Sequence, residues 1–447
     1  MTSAAENEKL TRVGPGTPMG GFMRQFWLPA ALSSELVADG DPVRLMLLGE
    51  KLIAFRDTSG RVGIMDHRCP HRCASLFFGR NEENGIRCVY HGWKFDVDGN
   101  CLEMANVPPA QDFKAKVKAK AYLARERNGL IWIYMGDAAD APPPLPPIEA
   151  ALQPEDEVDF RFVQRGCNWL QALEGDLDTS HLSFLHFGAV AQDKVKQDND
   201  QRHLVENKAP EFLVRETDYG IMAAAPRPAD AHSTYWRFAH YIFPIWGLSP
   251  NWPIQANVLA RGWVPMDDEH TMFMEIIRKN VRSGYTAKDG AKLAGAQVMD
   301  VQSANDTGWF GRWRLQDGAG NDYGLDRAVQ ASESYSGIDG IHLQDQAITE
   351  GMGAISDKTW EHLAPSDVMI TRTRKRILEA VAAYGKTGEI PTFFMDEDAL
   401  KNVRGGSFTA PQGTDWLDAY NAQMRIAATA HPAPPNNFLA TFLARRL

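Results

Sequence analysis

Cysteine is scarce: the 447 residues contain five, Cys69, Cys73, Cys88, Cys101 and Cys167. So few thiols, and an odd number of them, exclude a disulfide scaffold and suit metal ligands with bystanders in a reducing compartment. A basic excess is also missing. Lys and Arg number 47 against 57 Asp and Glu, a net charge of −10, which argues against a phosphate backbone as partner, and no nucleic acid is expected. No run of eighteen apolar residues occurs, and the opening Met1-Thr-Ser-Ala-Ala-Glu-Asn-Glu-Lys lacks the basic and apolar regions of a secretory leader. A cytoplasmic protein without membrane contact is expected. No G-x-G-x-x-G follows a predicted strand, so a nicotinamide nucleotide would belong to another chain.

What is present is the composition of a globular protein, 44% hydrophobic and 23% charged, in a chain longer than one core usually fills. Two domains are expected. Residues 1–43 form a lead-in broken by Gly14-Pro15-Gly16 and Pro18-Met19-Gly20-Gly21. Residues 44–140 read as short strands joined by hairpin turns at Gly49-Glu50, Ser59-Gly60, Asp98-Gly99 and Asn128-Gly129. The run Ala141-Pro-Pro-Pro-Leu-Pro-Pro147 gives a stiff linker at 141–147. Residues 148–447 mix strands, at 160–164, 235–243, 256–264 and 271–277, with helices, the clearest at 367–384 between an N-cap Ser366 and Gly385. Arg372, Arg374, Lys375 and Arg376 make that helix basic, as a solvated face or as a docking surface for an acidic redox partner. Residues 280–325 read as a long surface excursion able to cover a site.

The most specific pattern is Cys69-Pro70-His71 followed, after sixteen residues, by Cys88-Val89-Tyr90-His91. Two thiolates and two imidazoles match the ligand set of a Rieske [2Fe-2S] cluster, in which histidines on one iron raise the potential above that of an all-Cys cluster. Structural zinc accepts the same four residues, but its paired ligands are usually two to four residues apart and C-x-H is tighter. The flanks Cys69-Pro-His-Arg72 and His91-Gly-Trp-Lys-Phe-Asp96 resemble Rieske cluster loops. Tyr90 stands where a respiratory-type loop needs its second disulfide cysteine, so the resemblance is to the soluble, oxygenase-type cluster.

A second constellation lies at Glu174-x3-Asp178-x2-His181-x4-His186. On a regular helix Glu174, Asp178 and His181 share one face, whereas His186, five residues beyond His181, points about 140° away. Both histidines reach one metal only if the helix ends or bulges. Two imidazoles and a carboxylate make the facial triad that binds Fe(II) and leaves positions open for O2.

Together, the cluster motif and this stretch behind Asn168-Trp169 resemble the Rieske non-haem iron oxygenases along nearly the whole chain. The resemblance implies an α+β protein, with an N-terminal all-β cluster domain and a larger catalytic domain of antiparallel sheet and helices. It implies a distant aspartate as third iron ligand. Asp345, in Gln344-Asp345-x4-Glu350, fits that context, with Asp339 and Asp357 as alternatives. Glu350 is expected as a structural partner, and Glu174 and Asp176 are expected to shape the field at the iron unless Asp176 is merely solvated.

The family's aspartate ahead of the histidines, here Asp178, joins the iron histidine to a Rieske histidine of the next subunit, which implies a homotrimer or stacked homohexamer. Residues near Asn321-Asp322-Tyr323 and Gly337-Ile338 resemble the phthalate dioxygenase branch. The expected activity is that of a terminal oxygenase: a flavin and iron-sulfur reductase using NAD(P)H, O2, and cis-dihydroxylation of an aromatic carboxylate. O-demethylation shares the same iron site, and a Rieske protein that only carries electrons is the reading from another class. A carboxylate substrate requires a cation in the pocket, for which Arg215, Arg237 and Arg261 are the candidates.

Overall fold

The computed structural model describes residues 2–137, 142–188, 202–279, 308–396 and 398–430. Its first part is all β. A six-stranded sheet contains the hairpin Val43–Leu47 and Glu50–Arg56, then Val62–Asp66, and the hairpin Ala121–Arg127 and Leu130–Tyr134. The second hairpin turns at Asn128-Gly129 as the sequence predicts, whereas the first turns at Leu48-Gly49, one residue before the expected Gly49-Glu50, because Glu50 already pairs with Leu47. Leu48 and Gly49 are both left-handed (φ 45° and 75°), as are Asn128 and Gly129 (φ 50° and 82°), the primed geometry that suits two-residue loops between twisted strands. The sheet also takes in Trp27–Leu32, antiparallel to Leu130–Tyr134, from the stretch read as lead-in. A four-stranded sheet, Arg80–Glu82, Gly85–Arg87, Trp93–Phe95 and Cys101–Met104, packs Ile86, Trp93, Phe95 and Cys101 into a second core with Ile53, Phe55 and Met65 of the six-stranded sheet.

The larger part is α+β, built on an eight-stranded antiparallel sheet. Val158–Arg165, Leu259–Pro265 and Thr271–Arg278 form one side, and Ser233–Ile242 lies between Gly220–Pro228 and Gly406–Pro411. Helix Trp169–Leu177 packs Leu170, Leu173 and Leu177 into the main core, which runs on through Trp132 of the first sheet and Trp246 of the second, their rings 5.9 Å apart. Truncating an indole in such a core costs about 3–5 kcal/mol.

Several expectations are corrected. The basic helix spans Val368–Thr387; its N-cap is Asp367 and not Ser366, and its left-handed stop is Gly388 (φ 75°) and not Gly385. Arg374 of that helix is buried against Glu174 and Glu361 and belongs to no solvated row. Of the excursion at 280–325, residues 280–307 lie outside the described residues.

Candidate metal centres

The two Cys-His loops are built alike. Cys69 accepts from the amide of Cys73 and Cys88 from that of Gly92, at 2.9 and 2.8 Å, each closing a tight turn on a left-handed residue (Cys73 φ 60°, Gly92 φ 77°). Gly92 is needed for space as well, since a Cβ there would come within 2.8 Å of Ala105. Cys69 and Cys88 are buried, while His71 and His91 stand half-exposed at the tip.

The imidazoles of His71 and His91 lie 4.4 Å apart, and His71 stacks flat on Trp93 at 4.4 Å. Trp93 is itself fixed by its indole N–H donating to Asn106. Burial, with the neighbouring Cys88, pushes the Cys69 thiol up to about 12 although the amides of His71 and Arg72 donate toward it. Burial thus disfavours a bare thiolate at Cys69. His91 Nδ1 is buried without a hydrogen-bond partner. Two buried sulfurs, two adjacent imidazoles and an orphan ring nitrogen fit a cluster with Cys2His2 ligation.

The second centre depends on where a helix stops. Trp169–Leu177 is capped at its start by Asn168 and ends at Asp178, whose amide still donates to the Glu174 carbonyl. His181 therefore lies in a separate 3-10 turn, His181–Ser183. The expected single helical face of Glu174, Asp178 and His181 does not form, and the break lies ahead of His181. Released from the helix, the histidines converge: His181 Nε2 is 3.1 Å from His186 Nε2, and Asp345 Oδ1 of helix Ile341–Gly351 is 3.5 and 3.2 Å from them.

Adjacent ligands at about 2.1 Å from an octahedral metal stand about 3.0 Å apart, so these three atoms suit one face of a coordination shell. They are the one such His/Cys/Asp/Glu group among the described residues. The electrostatics agree. Burial opposes charge on His181, yet the carboxylates of Asp178 and Asp345 raise it to about 10, and against burial His186 and His181 hold Asp345 well below the usual carboxylate range. The group stabilises positive charge at its centre.

Both rings are held from behind. His186 Nδ1 lies 2.7 Å from Gln344 Oε1, whose amide nitrogen donates to the Ile338 carbonyl, so the ring N–H faces Gln344 and Nε2 is left free. Asp178 Oδ2 lies 3.7 Å from His181 Nδ1, and its other oxygen accepts from the Ser180 amide at 2.7 Å. Gln344 enters the sequence reading only as context for Asp345. Its signal is position, one residue before the aspartate on a helix that faces His186.

Other candidates separate cleanly. Asp339 and Asp357 lie outside the triad. Glu174 is tied to Arg374 at 2.6 Å. Asp176 is not solvated: it pairs with Arg261, which also holds Glu275. Glu350 accepts from the Gly166 amide and from Gln346, a structural role as expected. A cavity of about 100 Å³ beside the triad is lined by Asp178, His181, Asp345, His342, Arg165 and Arg261. Arg215 is exposed, and Arg237 lies elsewhere in the sheet.

Residues 26–115 match the Rieske [2Fe-2S] domain model, and residues 133–435 match the model described as LigXa C-terminal domain like. The chain is 47% identical to the 3-chlorobenzoate-3,4-dioxygenase oxygenase subunit of Comamonas testosteroni, over 95% of this chain and 99% of that one. The chain belongs to the Rieske non-haem iron oxygenases. The oxygenase is also 38% identical to the phthalate 4,5-dioxygenase oxygenase subunit of Pseudomonas putida, across 94% of each chain. In fold it is similar to dicamba monooxygenase bound to dicamba, with a TM-score of 0.54, 18% identity, and coverage of 82% of this chain and 99% of the other. The oxygenase is an oxidoreductase whose cofactors are a Rieske [2Fe-2S] cluster and a mononuclear iron, which sets aside the zinc reading. The extensive match beyond the cluster domain sets aside a bare electron carrier. Among the described residues no helix is long and apolar enough to cross a membrane.

Proposed function

We propose that this oxygenase cis-dihydroxylates an aromatic carboxylate with O2 and two electrons delivered from NAD(P)H by a separate flavin and iron-sulfur reductase. Overall, arene, O2, NAD(P)H and a proton give the cis-diol and NAD(P)+. The convergence of His181 Nε2, His186 Nε2 and Asp345 Oδ1 carries the reading, and the similarity to the 3-chlorobenzoate and phthalate enzymes supports the substrate class. In this proposal Cys69 and Cys88 hold one iron of the cluster, His71 and His91 the other, and His181, His186 and Asp345 hold the mononuclear iron. When bound, these groups supply one-electron transfer and activation of O2.

The chain's own residues supply geometry and proton placement. Gln344 accepts the Nδ1–H of His186 and fixes its tautomer. Asp178 faces Nδ1 of His181 and, in the assembled protein, receives a cluster histidine of the next subunit, which makes the working unit a homotrimer or stacked homohexamer. Five unpaired cysteines suit a reducing, cytoplasmic setting.

The test is product mass. Purified protein, a surrogate reductase and NADH are incubated with a panel of aromatic acids. A gain of two oxygens and two hydrogens is expected, loss of CH2 from a methoxylated acid would redirect the reading to O-demethylation, and NADH consumption without any product would sink both.

A further inference from the structure

Residues 112–120 read Asp-Phe-Lys-Ala-Lys-Val-Lys-Ala-Lys, with Lys114, Lys116, Lys118 and Lys120 at every second position of a chain whose net charge is −10. The local fold exposes all four. Asp112 accepts from the Lys114 amide at 2.8 Å and opens the 3-10 turn Lys114–Lys116. Beyond the turn Lys118 bridges Asn100, and the Ala119 amide donates to the Gly99 carbonyl at 2.8 Å. Val117 and Ala119 pack into the core that contains Cys69, Cys88 and Trp93, so alternation sends Lys118 and Lys120 outward.

Two of the four have carboxylate partners, Lys120 with Glu50 at 2.6 Å and Lys114 with Asp112 at 3.5 Å. Glu103, on the strand against which the 3-10 turn packs, is taken by Arg87. Among the described residues no Asp or Glu forms an ion pair with Lys116 or Lys118. A row of like charges is usually a solvated face, but here a second feature marks it. Phe113, which leads into the row, is 44% exposed, and its ring stands T-shaped against the indole of Trp93 at 5.8 Å.

Trp93 in turn stacks flat on His71, so the exposed Phe113 ring stands two ring contacts from a residue of the cluster site. His91 has a different neighbour, the exposed ring of Tyr90 at 3.8 Å. Two aromatic approaches therefore lead to the two histidines. Tyr90 follows the exposed apolar Val89, whereas Phe113 is followed by lysines. A small apolar centre with a charged rim suits a partner that is steered in, docks briefly and leaves, since like-signed rim charges raise the rate of encounter with an opposite surface more than they prolong the contact.

We propose that Phe113 with Lys114, Lys116 and Lys118 is the surface on which the electron donor docks, an iron-sulfur protein that presents carboxylates around its own centre. The lysines draw in the acidic rim, and Phe113 is the apolar contact at the middle. One electron leaves the donor's reduced centre, which is oxidised, and reaches the oxidised cluster from the His71 side, which is reduced; two such visits supply the two electrons of one turnover. This rests on the reading above in which a separate iron-sulfur protein delivers the electrons. The basic helix Val368–Thr387, the sequence's candidate for this partner, is less suited: Arg374 is buried against Glu174, and Arg372, Lys375 and Arg376 lie beside Glu216 and Glu379.

The probe is an acidic plant-type [2Fe-2S] ferredoxin, whose potential lies below that of a Rieske cluster. Its oxidised form is titrated calorimetrically into the holoenzyme, and its reduced form is mixed rapidly with oxidised holoenzyme while the cluster absorbance is followed. Both binding and reduction should weaken as salt is raised. Lys116→Glu/Lys118→Glu is expected to weaken binding and slow reduction by about 10- to 100-fold at low salt and to flatten the salt dependence. Phe113→Ala should weaken binding about 10-fold at every salt concentration. The cluster absorbance and its reduction by photoreduced deazaflavin, a small uncharged donor, report an intact centre in the lysine variant. Should charge reversal disturb the cluster, Lys116→Gln/Lys118→Gln carries the same test with a loss of about 10-fold. Wild-type binding indifferent to salt, or an intact lysine variant that binds the ferredoxin and accepts its electrons as wild type does, makes the row a solvated face and overturns the docking surface. A changed mass of the lysine variant in solution assigns the row to contact between copies and overturns it as well. The two readings fail separately. Ferredoxin-driven hydroxylation indifferent to these lysines would remove the docking surface and keep the oxygenase; lysine-dependent reduction of the cluster without turnover of any aromatic acid would keep the surface and remove the proposed reaction.

Discussion

Asp345 contributes the only carboxylate of the triad, and its contacts with the two histidines hold it ionised against burial. Asp345→Ala is expected to lose the mononuclear iron and keep the cluster, with iron falling from about three to about two per chain and the cluster spectrum unchanged. Unaltered iron and turnover would move the third ligand away from Asp345. Gln344→Ala frees the His186 ring to rotate, and iron retention against a chelator should fall about 10- to 100-fold, the usual effect of removing a ligand's hydrogen-bond partner. At this scale the sequence was readable where ligands are close neighbours in the chain. C-x-H and C-x2-H are local, since each loop closes its own turn around its cysteine. Asp345 lies far downstream and was legible through family resemblance alone. The hydrogen bond from His186 to Gln344 was not legible, because it depends on how separate elements face one another.

Hairpins were the most legible elements, since left-handed Asn-Gly and similar pairs declare the turn and period two declares the strands. Helix ends were less so. Leu177 ends its helix because Asp178 leaves the helical path, and no Gly or Pro marks the place. Arg374 illustrates a buried partner that periodicity cannot reveal: it binds Glu174 of the metal-site helix at 2.6 and 2.7 Å and reaches Glu361 as well. Arg374→Met should cost about 3–5 kcal/mol in urea unfolding by leaving Glu174 buried without a counterion, while adding Glu174→Met should recover much of the loss. A single variant as stable as wild type would deny the pair that role.

Strand Ser233–Ile242 is tied to the C-terminal helix through His240, which lies between the Tyr219 hydroxyl and the Arg404 carbonyl and beside Tyr420. Burial lowers His240 to about 3. Its unfolded value is about 6.5, so the unfolded chain takes up this proton first as pH falls. The stabilisation is complete above about 6.5 and is lost progressively toward 3. Urea midpoints at pH 7.5 and 5.0 should therefore separate more for wild type than for His240→Gln, and equal separations would show that His240 titrates alike in the folded and the unfolded chain.

At the scale of the whole molecule, the cluster tip and the triad belong to different parts of the chain, and each presents apolar side chains to solvent. Val89, Tyr90 and Phe78 are exposed on the cluster loops, and Ile348 and Met352, one helical turn apart, are exposed at the rim of the cleft that contains Asp178 and His181. Isolated exposed apolar residues are ordinary, but two patches flanking the two redox sites have a shared explanation if the tip of one subunit covers the cleft of the next. Met352→Asp puts a desolvated charge in that contact. The mass in solution should then fall from three or six times 49.7 kDa toward one, and oxidation of the pre-reduced cluster by O2 and substrate in a single turnover should slow by orders of magnitude with both metals retained. Asp178→Asn separates assembly from electron transfer: it keeps the shape of the cleft and removes its charge, so the multimer should persist while reoxidation slows as severely. A Met352→Asp protein that remains assembled and reoxidises at the wild-type rate would place the contact elsewhere, and an Asp178→Asn protein with wild-type reoxidation would leave that carboxylate outside the electron path.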